Sequence, residues 1–253
     1  MTHCTHNEFA QPLENANQRF RFLKQFDELD FAKKAGCRDR LRASDTRWFP
    51  GDLLSAVFAR ALCEHRAIPF KEVLESFEFY ACVRNQIRAP NLADLCCGHG
   101  LVGILFAMFE RQVERVSLID KVRPASFDTA LAAATEVAPW VTEKIRYLEC
   151  DLENANEHLP KGTSVVGVHA CGERTDQCIE HAIKSRGSVA VLPCCRHHAP
   201  HPSPPSIKQA IGGDLAIDVD RTYRLHNAGY RVKWDAIPPT ITPMNRVLIG
   251  KQR

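Results

Sequence analysis

The chain has 253 residues, enough for one large α/β domain with a modest extension. Its 45% hydrophobic and 25% charged content is that of an ordinary globular protein, and no apolar run approaches the ~20 residues that span a bilayer. The formal net charge of +3 is too small to identify a nucleic-acid partner by itself. Eleven cysteines follow an N-terminus (Met1-Thr2-His3-Cys4-Thr5-His6) that lacks a basic start and an apolar stretch. They read as reduced thiols of a cytoplasmic protein, because disulfide frameworks belong to shorter secreted chains.

Residues 1–89 are expected to form a helical extension and residues 90–253 the main domain. Phe20, Leu23, Phe26 and Leu29-Asp30-Phe31 recur at helical spacing. A second helix is expected from Pro50 through Leu62, and a third over Phe70 to Val83. The first of these segments is locally basic, with Arg19, Arg21, Lys24, Lys33, Lys34, Arg38, Arg40 and Arg42 against Asp27, Glu28, Asp30 and Asp39. That balance suits either a phosphate backbone or a solvated helix face laced with ion pairs.

After Pro90, short apolar runs alternate with helical segments. Strands are expected at 91–96, 116–120, 145–149, 164–169 and 188–192, with helices over 101–109, 124–134 and 176–184. Near-continuous apolar strands separated by helices imply a parallel sheet covered on both faces. Two last strands, 230–234 and 246–250, have no helix between them. The expected fold is α/β and Rossmann-like: a seven-stranded, mostly parallel sheet with an antiparallel C-terminal strand, as in class I methyltransferases.

Gly98-His99-Gly100-Leu101-Val102-Gly103 spells G-x-G-x-x-G between a strand and a helix. A dinucleotide brings a pyrophosphate to such a turn, where an acid is unhelpful. S-adenosylmethionine (SAM) carries an ammonium instead, and Asp94 precedes Gly98 at the D-x-x-x-G-x-G spacing typical of methyltransferases. Asp120, ending the second strand, suits the ribose hydroxyls. Asp151, past the third, suits the adenine amino group, with Cys150 and Leu152 bordering the ring. The expected cofactor is SAM, held by Asp94, Cys96, Gly98, Gly100, Asp120, Asp151 and Leu152.

The acceptor is expected at the loops after the fourth and fifth strands. His169-x-Cys171-Gly172 with Thr175-Asp176, then Pro193-Cys194-Cys195 and nearby histidines, then Ile241-Thr242-Pro243-x-Asn245 resemble the tRNA acceptor-stem ribose 2′-O-methyltransferases and related proteins with paired H-x-C-G and C-C-x-H elements. The resemblance covers roughly residues 92–250 and implies RNA, tRNA foremost, as partner. Arg196 separates Cys195 from the His pair, and the zinc modules of the eukaryotic tRNA enzymes are missing. His169, Cys171, Cys194 and Cys195 are the candidate catalytic residues: His169 as base, a Pro-Cys thiolate as nucleophile, or a small-residue lining. Zinc is a further reading of this Cys/His cluster, but its spacing does not match paired-ligand sites, and no metal is expected. A protein or small-molecule methyltransferase, or a non-catalytic SAM-binding module, is the alternative function.

Overall fold

The computed structural model describes residues 19–28, 31, 34–193 and 203–252. Seven strands form one sheet: β1 (Asn91–Leu95), β2 (Arg115–Asp120), β3 (Ile145–Glu149), β4 (Ser164–Val168), β5 (Val189–Leu192), β6 (Arg231–Ala236) and β7 (Arg246–Lys251). Their order is β3-β2-β1-β4-β5-β7-β6, and among these strands β7 alone runs against its neighbours. This is the expected α/β, Rossmann-like methyltransferase sheet. The helices are α1 (Leu54–Glu64), α2 (Phe70–Ile87), α3 (Leu101–Phe109), α4 (Ala125–Val137), α5 (Val141–Lys144), α6 (Glu173–Ser185), α7 (Pro205–Ile211) and α8 (Gly213–Asn227).

Side chains alternate across the pleat, so each strand feeds two cores. On β5, Ala190 and Leu192 join the core beneath α2, α3 and α4, while Val189 and Val191 join the core beneath α6 and α8. Both faces are covered, which is why the strands are apolar throughout. Strand β1 pairs with β2 on one side and β4 on the other, but its register with β4 ends at Asp94↔Val166. Beyond that pair the two strands lead into different loops, and the chain order reverses direction across the sheet. A crevice opens at such a switch point, at the carboxyl ends of the strands.

The N-terminal segment departs from the expected helix. Phe20, Leu23 and Phe26 are buried as their spacing demanded, yet within residues 19–28 the helical turn is confined to a short 3₁₀ piece, Lys24–Asp27. The reason lies in the amides. Asp27 Oδ1 accepts from Phe20 N at 2.9 Å, and the buried Glu78 carboxylate accepts from the N–H groups of Arg21, Phe22 and Leu23 at 2.6, 3.0 and 2.9 Å. Donors claimed by side chains cannot build a helical ladder. The helix expected at Pro50 starts at Leu54 instead, because the Arg60 guanidinium holds the carbonyls of Phe49 and Gly51 in a bend at 2.7 and 2.6 Å. Helices α7 and α8 had no sequence expectation at all. The inward face of α8 carries Asp218 and Arg221, both buried, which breaks the apolar stripe that signals a helix.

Glu78 is therefore a structural acid. Replacing it with Ala should leave three buried amides without an acceptor and destabilise the fold by about 2–4 kcal/mol, the scale of losing charge-assisted hydrogen bonds. Chemical denaturation measures this, and limited proteolysis should show earlier cleavage near residues 19–23.

Candidate functional site

The β1–α3 turn is built by a close approach. Asp94 is 2% exposed, and its Oδ2 accepts from Gly103 N, in the first turn of α3, at 3.0 Å. A Cβ on Gly103 would overlap the Leu118 side chain and meet Val116 Cγ1 at 2.9 Å, so only glycine lets α3 lie this close to β2. Gly100 turns at φ 68°, and a Cβ there would meet Leu118 Cδ1 at 2.8 Å. Gly98, by contrast, faces open space at φ 51°. The bend is stapled from outside: Asp120 Oδ2 accepts from Gly98 N at 2.8 Å, and the Tyr147 hydroxyl donates to Gly98 O at 3.2 Å.

Asp94, Cys96, Cys97, Gly98 and His99 line a cavity of about 150 Å³ together with Glu72 and Glu75 of α2. His99 Nε2 lies 3.1 Å from Glu72 Oε2. Glu75 is 1% exposed; its Oε2 meets His169 Nε2 at 2.6 Å and accepts from Lys71 Nζ at 2.9 Å. Its other oxygen, Oε1, is buried with no hydrogen-bond partner among the described residues. Burial pushes the Glu75 carboxyl up, but the hydrogen bond and charge of His169, with Lys71, outweigh it and hold the group below its ordinary range. Asp94 has no such compensation: burial pushes it up to about 7, against the opposing Gly103 N–H and with a smaller push from Asp120. Burial also drives the Cys97 thiol upward, so it lines the cavity as a neutral group.

Glu72 and Glu75 escaped the sequence reading. The signal was present, since Glu72, Glu75 and Glu78 recur every third residue on a helix otherwise rich in Phe, Val and Leu. Acids on the apolar side of a helix have a reason to be there. What the sequence lacked was the packing of α2 against the open end of the sheet.

His169 follows β4 with φ 61°, a left-handed conformation that costs a non-glycine residue energy. It stands between the carboxylate-lined cavity and a second one of about 560 Å³, lined by Arg38, Lys71, Glu72, Cys171, Thr242 and Met244. The loop that carries it is clamped by α8. Arg221, 2% exposed, donates to Gly172 O at 3.2 Å and to both oxygens of Asp176 at 3.0 and 2.8 Å. The Thr175 hydroxyl donates to Ala170 O. Asn245 Nδ2 donates to Ile237 O at 2.7 Å, holding the segment before β7. Thr175, Asp176 and Asn245, part of the sequence pattern, thus shape loops.

The remaining expected residues are scattered along one rim. Asp120 ends β2 with Oδ1 accepting from Lys121 N at 2.7 Å. Asp151 is exposed and 3.3 Å from Lys121 Nζ, and Leu152 beside it is half-buried. Val122 is 65% exposed two residues past Asp120, an apolar shelf that sequence reading passed over. Cys194, Cys195 and the His197-His198 pair lie outside the described residues. Among the described residues, no group of three or more His, Cys, Asp or Glu side chains is arranged for a metal ion, and no helix is long and apolar enough to cross a membrane.

The donor set suits SAM better than a dinucleotide. Asp94 and the unpartnered Glu75 oxygen present negative charge where a pyrophosphate would be repelled and an ammonium or sulfonium attracted. Two glycine variants separate architecture from binding. Gly103→Ala should cost about 1–3 kcal/mol of stability by overpacking. Gly98→Ala should cost about 1–2 kcal/mol for its left-handed backbone, yet lose SAM binding because its Cβ enters ligand space. Thermal denaturation and calorimetry with SAM measure the two effects.

Residues 70–200, more than half of the chain, match a family model described as a methyltransferase domain. A human glutathione S-transferase C-terminal domain-containing protein is 32% identical over 114 residues, covering 45% of this chain; the aligned stretch spans 17% of that relative's length. Solved structures with similarity include an O-methyltransferase family protein from Burkholderia thailandensis, at TM-score 0.44 and 15% identity, covering 90% of this chain and 68% of the other. Another is TrmK of M. capricolum in complex with S-adenosyl-homocysteine, at TM-score 0.47 and 11% identity, covering 70% and 68%. The chain belongs to the methyltransferase-domain family.

Proposed function

We propose that the protein methylates RNA, tRNA foremost, at a ribose 2′-hydroxyl, with residues 1–89 as the helical roof of the site. The observation that carries this reading is His169 standing between the two cavities with its Nε2 held by a buried carboxylate, Glu75. Bound SAM supplies an electrophilic methyl group next to the acceptor cavity. An amine nucleophile already owns a lone pair, whereas a hydroxyl must shed its proton as it attacks, so a positioned base is most useful for oxygen acceptors. Glu75 accepts from Nε2–H, which leaves Nδ1 as the ring's acceptor for the hydroxyl proton. Lys71 offsets part of the Glu75 charge and lets the pair persist in a buried setting.

On the cofactor side, Asp94 and Glu75 hold the ammonium end and Gly98 gives it room. Asp120 receives the ribose hydroxyls, Val122 and Leu152 border the adenine, and Asp151 takes its amino group. Gly100 and Cys96 keep the bend open. Cys171 lines the acceptor cavity, and Cys194 and Cys195 belong to the loop that completes it. The H-x-C-G and C-C-x-H resemblance and the cationic Arg38 and Lys71 in the acceptor cavity support RNA over a protein or small molecule.

Incubation with labelled SAM and undermodified total RNA, then nucleoside mass spectrometry, should reveal a 2′-O-methylnucleoside. Label confined to protein or to small molecules would overturn the reading. His169→Ala should lower kcat by roughly 10²–10⁴-fold while SAM affinity stays within a few-fold. Asp94 adds a pH test. Its folded pKa is raised, so the neutral acid is the form the empty fold favours, and its share of stability is full below pH 4 and falls as pH rises toward 7. Cation binding needs the ionised form, so SAM affinity should weaken roughly tenfold per pH unit below about 7. The slope should vanish in Asp94→Asn, measured by calorimetry across pH 5.5–8.

A further inference from the structure

The basic N-terminal segment is organised in a way its composition did not show. Residues 37–41 pair with the residues that lead into α2, bending at Asp39: Leu41 N donates to Ile68 O at 3.0 Å, Phe70 N to Asp39 O at 2.9 Å, and Lys71 N to Cys37 O at 2.9 Å. Arg40 and Pro69 form an antiparallel bridge, and Arg42 continues extended at φ −127°, ψ 154°. Leu41 is buried, which turns its neighbours Arg40 and Arg42 to the surface. Arg38, Arg40 and Arg42 are all exposed.

The two ends of this row touch different hollows. Arg38 lines the acceptor cavity beside His169, while Arg40 and Arg42 line a neighbouring open groove of about 520 Å³ together with Ser44 and Arg66. Arg66 is set there by the end of α1. It adopts φ 50°, a conformation usually left to glycine or asparagine, and its carbonyl accepts from Arg40 Nη1 at 3.3 Å. Asp39, the one acid lining the groove among the described residues, meets Arg42 only at 3.9 Å, with both side chains largely exposed. Such a pair is screened by water and leaves the guanidinium available to another anion.

We propose that Arg38, Arg40, Arg42 and Arg66 form a phosphate track for a single-stranded stretch of RNA leading into the acceptor cavity. The track rests on the RNA reading above and deepens it by naming where the backbone lies. Four exposed guanidinium groups along two adjoining hollows offer sites for successive phosphates, and guanidinium forks pair with phosphate oxygens two at a time. The path bends at Asp39 and ends in a cavity, which a flexible single strand can follow and a rigid base-paired helix cannot enter. Among the described residues, the groove lining holds no aromatic ring, so the track positions the backbone and reads no bases.

The test is fluorescence anisotropy of the full chain with a labelled single-stranded RNA over a salt series. The comparison variant is Arg40→Ala, Arg42→Ala and Arg66→Gly combined; glycine keeps the left-handed turn at position 66. Each lost phosphate contact should make the slope of log K against log salt shallower by about 0.7, hence by about 2 for the triple variant. Affinity should fall by ten-fold or more at low salt, with SAM affinity and melting temperature unchanged. Arg40→Lys with Arg42→Lys should recover most of the slope. Wild-type protein that binds RNA with a slope the triple variant does not alter would overturn the track and leave the methyltransferase reading standing. Wild-type protein that binds no RNA, including a case where it binds anionic vesicles or acidic peptides through these arginines, would overturn both.

Discussion

The contact between Asp94 and Gly103 governs this molecule. A carboxylate at the end of β1 reaches across the turn to an amide in the first turn of α3, and the missing side chain at Gly103 lets that helix settle onto Leu118 and Val116 of β2. The bend between them is thereby fixed at the crevice where β1 and β4 part. Asp94 is held almost completely out of water by the same contact, and its carboxyl is shifted toward neutrality. A buried acid at this position is a poor contributor to the empty fold and a good receiver for a cation. The glycine turn is therefore tuned electrostatically as well as sterically.

Helix α2 ties the N-terminal segment to the His169 loop and the glycine bend through three acids with three different tasks. Glu78 takes the backbone amides of residues 21–23 and replaces a helix that the apolar spacing had promised. Glu75 holds His169, and Glu72 meets His99 of the glycine turn. One turn of helix separates each acid from the next, so a single rigid element spans the distance from the N-terminal segment to the cofactor bend. The apolar core that begins at Phe20 continues through α2 and α3 to Ile249, so the N-terminal helices share their packing with the sheet.

Charge is unevenly distributed across His169. Glu75 and Asp94 lie on one side, Arg38 and Lys71 on the other with Arg40, Arg42 and Arg66 beyond, and Glu72 lines both cavities. The field therefore grades from negative around the glycine bend toward positive beyond His169. Lys71 sits on the boundary, bound to Glu75 while facing the acceptor side. On the opposite face of the sheet, Arg221 of α8 holds the His169 loop through Gly172 and Asp176, so its geometry is set from both sides.

The sequence by itself determined the sheet and the glycine bend. Near-continuous apolar strands alternating with helices, G-x-G-x-x-G and an acid four residues upstream are local patterns, and local patterns survive without knowledge of the fold. It did not show α7, which is seven residues long and buries none of them, or α8, where buried Asp218 and Arg221 interrupt the helical stripe. It mistook residues 20–27 for a helix because burial there comes with amides claimed by acid side chains. Glu72 and Glu75 are as readable as any letters in the chain, yet their meaning depends on which end of the sheet α2 crosses. Only the tertiary structure could decide that His169 finds a carboxylate 94 positions earlier, or that Arg66 from the end of α1 lines one groove with Arg40 and Arg42. Those relations are set by long-range packing, which pattern and spacing along a chain do not encode.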